Sequence, residues 1–121
     1  MERSELARLV QIDYTREMAF IATLPAPEGG EQTLGVARAL ADPDNLGAEF
    51  GIILRPELKG SGLGRLLMDK LIRYQRGAGT QRLIASALVE NWRMRELARA
   101  LVFAEAPTPG EPDTLRLTLE L

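Results

Sequence analysis

Three glycines in five positions, Gly60, Gly62 and Gly64, lie between an apolar segment and a leucine-rich one. Because glycine has no Cβ, the backbone N–H groups of such a loop can approach an anion closely. A helix that begins directly after the loop adds the positive end of its dipole. The pattern therefore predicts a phosphate-binding loop, with a simple chain-reversing turn as the structural alternative.

Spacing excludes two well-defined phosphate-binding motifs. In a Walker A loop, G-x-x-x-x-G-K-[ST], a glycine would stand five residues after Gly60, where the chain has Arg65. In the dinucleotide motif G-x-G-x-x-G, the last glycine would fall at Arg65 or at Leu67, depending on the starting glycine. Neither nucleoside triphosphate hydrolysis nor a nicotinamide dinucleotide is therefore predicted.

The residue types that are missing restrict the chemistry further. The 121 residues include no cysteine and no histidine, which excludes thiolate and histidine-based catalysis and the usual zinc sites, so no metal is expected. The formal net charge is −2 and the acidic residues are spread along the chain, so no basic face for nucleic acid is predicted. No apolar run is long enough to span a membrane and no leader pattern is visible, so we expect a cytoplasmic protein.

Hydrophobic periodicity predicts the elements that must position the loop, in the order α-β-β-β-α-β-α-β-β. The predicted helices span residues 4–12, 62–76 and 91–101, and the predicted strands span residues 17–24, 33–41, 48–55, 81–89, 102–106 and 114–121. Meandering strands followed by helical crossovers predict a single α+β domain over residues 1–121, with a mostly antiparallel sheet and one parallel pair. Gly51 lies inside the strand that leads to the loop, and we expect a bulge there that opens a cleft.

The loop fits the pattern [QR]-x-x-G-x-[GA], with Lys59 in the first place. In this respect the chain resembles the GNAT superfamily of acyl-CoA-dependent N-acyltransferases, and the resemblance covers nearly the whole length. It implies a mixed, mostly antiparallel twisted sheet flanked by helices, a strand that pairs with the pantetheine arm, and a loop whose amides bind the coenzyme A pyrophosphate. The residues so assigned are Ile52, Ile53 and Leu54 for pantetheine, and Lys59, Gly60, Ser61, Gly62, Leu63, Gly64 and Arg65 for pyrophosphate.

A second segment, ENWRMRELARALVF, resembles the family pattern N-x-x-A-x-x-L-Y-x-x-x-G-F. The resemblance implies that Asn91 hydrogen-bonds coenzyme A, although an asparagine at a helix start also serves as an ordinary N-cap. The chain departs from the pattern at two positions. Ala98 replaces the tyrosine that often protonates the departing thiolate, and Val102 replaces the glycine.

Glu49 is the candidate general base. A primary amine attacks a thioester only when neutral, and a lysine-like amine has a pKa near 10.4, so a base is needed at pH 7. Strand alternation places Glu49 on the face opposite Ala48 and Phe50, and the resemblance implies a glutamate at this point of the strand. The alternative is an exposed strand residue without a catalytic role. Since no cysteine could carry the acyl group, attack in a ternary complex is expected.

The same segments look like the GNAT domain of bacterial protein lysine acetyltransferases. That likeness implies acetyl-CoA as donor and a primary amine, a protein lysine, as acceptor. The competing hypothesis is a non-catalytic acyl-CoA-binding regulatory domain, which would need the loop but not Glu49. Family domains usually begin with a further strand and helix, so we expect an N-terminally short domain whose uncovered sheet edge could form a homodimer.

Overall fold

A computed structural model describes residues 8–121, and within this range the chain forms seven strands, two α-helices and one 3₁₀ turn. The strands form one sheet in the order β1-β2-β3-β4-β5-β7-β6, and β4 and β5 are its parallel pair. The predicted α+β fold is thereby confirmed. The elements are β1 (Arg8–Asp13), β2 (Glu17–Pro25), β3 (Glu31–Ala41), β4 (Gly47–Leu54), the 3₁₀ turn (Pro56–Leu58), α1 (Leu63–Gly77), β5 (Arg82–Leu88), α2 (Trp92–Ala100), β6 (Ala104–Thr108) and β7 (Glu111–Glu120).

The first element differs from its prediction. Residues 8–12 belong to strand β1 rather than to a helix, and residues 4–7 of the predicted helix lie outside the described residues. Strand β1 pairs with β2 along its whole length, from Arg8 opposite Thr23 to Asp13 opposite Met18. An isolated helix shorter than roughly 12 residues is marginal in water, whereas the edge of β2 offers a ready row of hydrogen-bonding groups. Pairing with the edge of β2 therefore decides the conformation of residues 8–12. The homodimer predicted to form through an uncovered sheet edge stays a prediction.

The hydrophobic core lies between one face of the sheet and the two helices. Helix α1 presents Leu63, Leu67 and Leu71 to it at four-residue spacing, as expected for one face of an amphipathic helix. The opposite face of the sheet carries exposed apolar side chains, including Leu40 and Ile53. The large side chains that are fully buried are Met18, Leu67, Met68, Leu71, Leu83 and Leu117.

Polar contacts fix the carboxyl-terminal part of α1. The Gln75 side-chain amide donates to the Thr80 hydroxyl over 2.7 Å, and that hydroxyl donates to the Asn45 side-chain oxygen over 2.8 Å. The Tyr74 hydroxyl donates to Asp13 over 2.8 Å, which raises the pKa of Tyr74 because the carboxylate stabilises the protonated phenol. Since buried polar groups are costly unless paired, these bonds hold the helix in one position and thereby fix its amino-terminal end as well.

Strands β4 and β5 separate soon after they meet. They pair only at Gly47–Arg82, Ala48–Leu83 and Glu49–Ile84. On its other side β4 stays in register with β3, and Gly51 lies directly opposite Arg38 without a shift. The bulge predicted at Gly51 is therefore wrong, because the β3–β4 ladder accommodates Gly51 without an extra residue. The cleft comes instead from divergence that begins directly after Glu49.

Candidate functional site

A cavity of about 340 Å³ lies where β4, the glycine loop and α2 meet. Ile52 and Leu54 project into it from the part of β4 that no longer pairs with β5. The backbone edge of this part of β4 that faced β5 is consequently available to an extended partner that carries amide groups. Residues of the glycine loop and of α2 form the rest of its lining.

The glycine loop adopts a conformation that requires glycine. Gly60 and Gly62 have φ angles of 85° and 95°, in the left-handed region that other residues rarely adopt. Helix α1 begins directly after Gly62, and the backbone N–H groups of Gly62, Gly64 and Arg65 have no hydrogen-bond acceptor among residues 8–121. The Leu63 N–H donates to the Ser61 hydroxyl oxygen over 3.3 Å. The loop therefore presents unpaired amide donors and a helix dipole to the cavity.

The mouth of the cavity is positively charged. Lys59, Arg65 and Arg93 line it, against the single carboxylate of Glu96. None of the three cations forms an ion pair within the described part of the chain. In a chain of net charge −2, a local concentration of unpaired cations beside free amide donors favours a ligand with several negative charges.

Asn91 caps helix α2 and also lines the cavity. Its Oδ1 accepts a hydrogen bond from the Met94 N–H over 3.2 Å, the usual bond of an N-cap asparagine. The capping interpretation of Asn91 is thus confirmed. The side-chain nitrogen of Asn91 is a donor that the cap does not use, and contact with a ligand remains a prediction.

Helix α2 is tied to the neighbouring strand by Arg95. Its guanidinium donates to both carboxylate oxygens of Glu105 on β6, over 3.0 and 3.1 Å, and to the Val89 carbonyl over 2.9 Å. The hydrogen bond from Arg95 holds the pKa of Glu105 below its usual value of 4.5, and the same bond raises the pKa of Arg95. This bidentate pair fixes the wall of the cavity that α2 provides.

Replacing Glu105 by Gln is expected to lower the thermal midpoint at pH 7. A carboxylate whose pKa is depressed in the folded state stabilises it above the unfolded-state pKa, and the contribution is lost as the pH falls through the folded-state pKa. The difference in midpoint between wild type and Glu105→Gln should therefore shrink below pH 4.5 and vanish in acid. Scanning calorimetry from pH 7 to pH 3 measures it, and a difference that stays constant over this range would contradict the assignment.

The cavity brings together most of the residues that the sequence assigned to a donor molecule. Three predicted residues differ in placement. Ile53 points to the opposite face of the sheet and is 76% exposed, so only its backbone can face an extended ligand. Leu63 is buried in the core, and Ser61 lies at the loop surface with its hydroxyl turned to the Leu63 amide. Those that line the cavity are Ile52, Leu54, Lys59, Gly60, Gly62, Gly64, Arg65 and Asn91.

Glu49 lies at the point where the sheet opens. It is the last residue of β4 that pairs with β5, opposite Ile84, and its side chain is exposed on the face away from Ala48 and Phe50. Ile52 and Leu54 project towards the cavity on the other face. The predicted base and the predicted donor contacts therefore lie on different faces of β4, at the gap between β4 and β5.

Four lining residues from α2 were not predicted as site residues. Met94 and Leu97 are partly buried against the core, and they form the apolar wall of the cavity. Arg93 and Glu96 form its polar rim. The signal that could have identified Arg93 is its place two residues after Asn91, in the first turn of the helix that faces the loop.

Val102 has a backbone conformation that is unfavourable for valine. It follows α2 with a φ of 61°, in the left-handed region, where a β-branched side chain is an outlier. This is the position at which the family pattern has glycine. Its side chain is 78% exposed, so little packing compensates for the strain.

Replacing Val102 by Gly should stabilise the fold. Relief of left-handed strain, about 1–2 kcal/mol, outweighs the added flexibility of glycine, and we expect a gain of about 1 kcal/mol in the free energy of unfolding. Urea denaturation measures this gain. Val89→Gly is the matched control, because Val89 is also partly exposed but does not have a positive φ. It should lower the stability. Destabilisation by Val102→Gly would mean that the side chain has packing value that outweighs the strain.

Two further findings on the described residues concern a membrane-spanning helix and a metal-binding group. No helix within residues 8–121 is long and apolar enough to cross a membrane. The same residues contain no group of three acidic side chains placed to hold a metal ion.

An open strand edge, a glycine loop at a helix start and a cationic rim give this α+β domain a site whose shape and charge suit an extended, polyanionic ligand. The chain belongs to the acetyltransferase (GNAT) family, whose sequence profile matches residues 2–103. It is 30% identical over 106 residues to an acetyltransferase of Pseudomonas aeruginosa, which covers 88% of this chain and 56% of the relative. The chain thus spans little more than half the length of that relative.

Solved structures show the same fold. The GNAT domain of S. lividans PAT superposes with a TM-score of 0.76 at 19% identity, covering 91% of this chain and 64% of that one. A spermidine/spermine N-acetyltransferase of Vibrio cholerae superposes with a TM-score of 0.71 at 21% identity, covering 88% of this chain and 65% of that one. At these identities the likeness concerns the fold.

Proposed function

We propose that this chain transfers an acetyl group from acetyl-CoA to a primary amine, with a protein lysine as the acceptor. The observation that carries the proposal is the continuity of three features: the unpaired edge of β4, the amide-rich loop and the cationic rim. Coenzyme A has the same sequence of properties, since an amide-containing pantetheine arm leads to a pyrophosphate and a further phosphate. The family membership and the acetyltransferase of Pseudomonas aeruginosa support the same donor.

The donor is expected to lie along β4 with its phosphates at the loop. Ile52 and Leu54 would contact the pantetheine arm, whose amide groups can pair with the free edge of the strand. The amides of Gly62, Gly64 and Arg65 would receive the pyrophosphate, together with the cations of Lys59 and Arg65. This arrangement directs the thioester towards the vertex of the sheet, the point after Glu49 and Ile84 at which β4 and β5 separate.

Glu49 is proposed as the general base at that vertex. The amine approaches from the exposed face of the sheet and its nitrogen attacks the thioester carbon through the gap after Glu49. Glu49 takes the proton from the attacking nitrogen, directly or through one water molecule. The C–S bond breaks, and coenzyme A leaves as a thiolate that the solvent protonates, since its pKa of roughly 8.5 makes it a good leaving group.

Ala98 is the reason why we propose that the coenzyme A thiolate leaves without protonation by a tyrosine of α2. Its side chain is buried in the core at the place where the family pattern has tyrosine, so no phenol reaches the leaving group from there. The lysine acceptor is proposed from the resemblance to bacterial protein lysine acetyltransferases and from the fold likeness to the GNAT domain of S. lividans PAT. The Vibrio cholerae enzyme makes a polyamine the alternative acceptor to test.

Calorimetry and a thiol-release assay test the function separately. Titration with acetyl-CoA should give saturable binding, whereas a chain without a donor site would show none. A screen of lysine peptides, candidate proteins and spermidine, with free thiol as the readout, should then identify the acceptor. Donor binding without turnover on any amine would support the non-catalytic acyl-CoA-binding domain instead.

A further inference from the structure

Arg93 extends from helix α2 to the glycine loop and lines the same cavity. It is the second residue of α2, and its Nη1 lies 3.1 Å from the position that a Cβ on Gly60 would occupy. Its guanidinium carbon lies 4.7 Å from the centre of the Trp92 ring. The guanidinium therefore lies close against Gly60 at the rim of the cavity, where the absence of a side chain leaves room for it.

No carboxylate of the described chain neutralises this guanidinium. Glu96 lines the same cavity, but the ion pairs within residues 8–121 do not include Arg93. A guanidinium presents its donors as a planar fork that matches two phosphate oxygens. A cation so placed, next to the free amides of the loop, suits an anion held where the loop and α2 meet.

We infer that Arg93 is a donor-binding residue that clamps the pyrophosphate of acetyl-CoA against the glycine loop, with Trp92 holding its guanidinium in place. The inference rests on the proposed function. The loop amides contact the pyrophosphate from one side and the Arg93 fork contacts it from the other. Stacking on Trp92 restricts the guanidinium before the donor arrives, which reduces the entropic cost of binding.

Arg93→Gln tests the clamp with three donors: acetyl-CoA, acetyl-dephospho-CoA, which keeps the pyrophosphate but lacks the 3′-phosphate, and S-acetyl-pantetheine, which has neither. Loss of a charge-assisted contact should raise the Kd of the first two donors about 10- to 30-fold. The kcat at saturating acetyl-CoA should change less than about twofold, because it is measured with the donor already bound. The KM for S-acetyl-pantetheine should also change less than about twofold, because this donor has no pyrophosphate for Arg93 to contact.

Arg99→Gln is the matched control, because Arg99 is exposed on the same helix and does not line the cavity. It makes the same change in net charge and should leave all three donors unaffected. An equal loss of donor affinity in both variants would mean that Arg93 acts only through the net charge of the protein. A loss confined to acetyl-CoA would place the guanidinium on the 3′-phosphate, and a loss extending to S-acetyl-pantetheine would make its role structural. Each of these results overturns the clamp.

A double-mutant cycle with Gly60→Ala tests the spatial relation. A Cβ at residue 60 would lie 3.1 Å from Arg93 Nη1, so the guanidinium would have to shift slightly, and Gly60→Ala should weaken acetyl-CoA binding less in the Arg93→Gln background than in wild type. Fully additive effects would contradict the inference. If wild type binds acetyl-CoA but Arg93→Gln binds it equally well, only the clamp fails. If wild type does not bind acetyl-CoA, the proposed function itself fails.

Discussion

Replacing Glu49 by Gln is expected to lower the kcat of acetyl transfer at pH 7 by about 100-fold or more, while the Kd for acetyl-CoA changes less than about twofold. Glutamine keeps the size of the side chain but cannot take a proton. The acceptor amine must then lose its proton before it enters the complex, and with a pKa near 10.4 only a fraction of roughly 1 in 2,500 is neutral at pH 7. Single-turnover acetylation and calorimetry measure the two quantities independently.

The pH dependence distinguishes a missing base from a disturbed site. In Glu49→Gln the rate should rise about tenfold per pH unit, because the neutral amine is then supplied by solution, and the deficit relative to wild type should narrow towards pH 10. A disturbed site would give a deficit that does not depend on pH. Glu28→Gln, an exposed glutamate in the turn between β2 and β3, is the matched control and should leave the kcat unchanged. Unchanged turnover in Glu49→Gln would contradict the assignment of the base.

The position of Glu49 explains how the two halves of the proposed reaction can meet. Along β4 the side chains alternate, so Ile52 faces the donor cavity while Glu49 faces the open side of the sheet. In a continuous sheet the backbone ladder would separate these two sides. Here the ladder between β4 and β5 ends at the Glu49–Ile84 pair, so a nucleophile on one side can reach a thioester on the other.

The sequence predicted the elements whose signals are local. Strand alternation located β4, the leucine spacing located α1, and the glycine pattern located the loop between them. Gly60 and Gly62 do adopt the positive φ angles for which glycine is suited. Asn91 was predicted as a helix cap for the same reason, since a cap depends on residues only three positions apart.

The elements that were missed depend on partners distant in the sequence. Residues 8–12 form a strand because β2 offers them an edge, which the local leucine spacing does not reveal. A bulge was predicted at Gly51 because glycine in a strand often marks one, yet β4 stays in register with β3 at this residue. Arg93 was overlooked because its relation to Gly60 crosses from α2 to the loop and exists only in three dimensions.

Replacing Gly62 by Ala is expected to have the second large effect, a loss of affinity for the donor. Gly62 has a φ of 95° at the start of α1, and a Cβ there meets no atom of residues 8–121 within 4 Å. The strain of a left-handed alanine should lower the stability by about 1–2 kcal/mol, and rotation of the loop amides should remove one charge-assisted bond to the pyrophosphate. We therefore expect the Kd for acetyl-CoA to rise about 10- to 100-fold.

Gly79→Ala separates the strain from the loss of binding. Gly79 has a φ of 84° and equally open surroundings, but it follows the other end of α1, away from the donor cavity. Both variants should therefore lose a similar amount of stability in urea denaturation, while only Gly62→Ala loses affinity for acetyl-CoA. Equal binding by wild type and Gly62→Ala would favour the alternative in which the loop only turns the chain. A similar loss of affinity in both variants would mean that strain, rather than the position of the loop amides, controls donor binding.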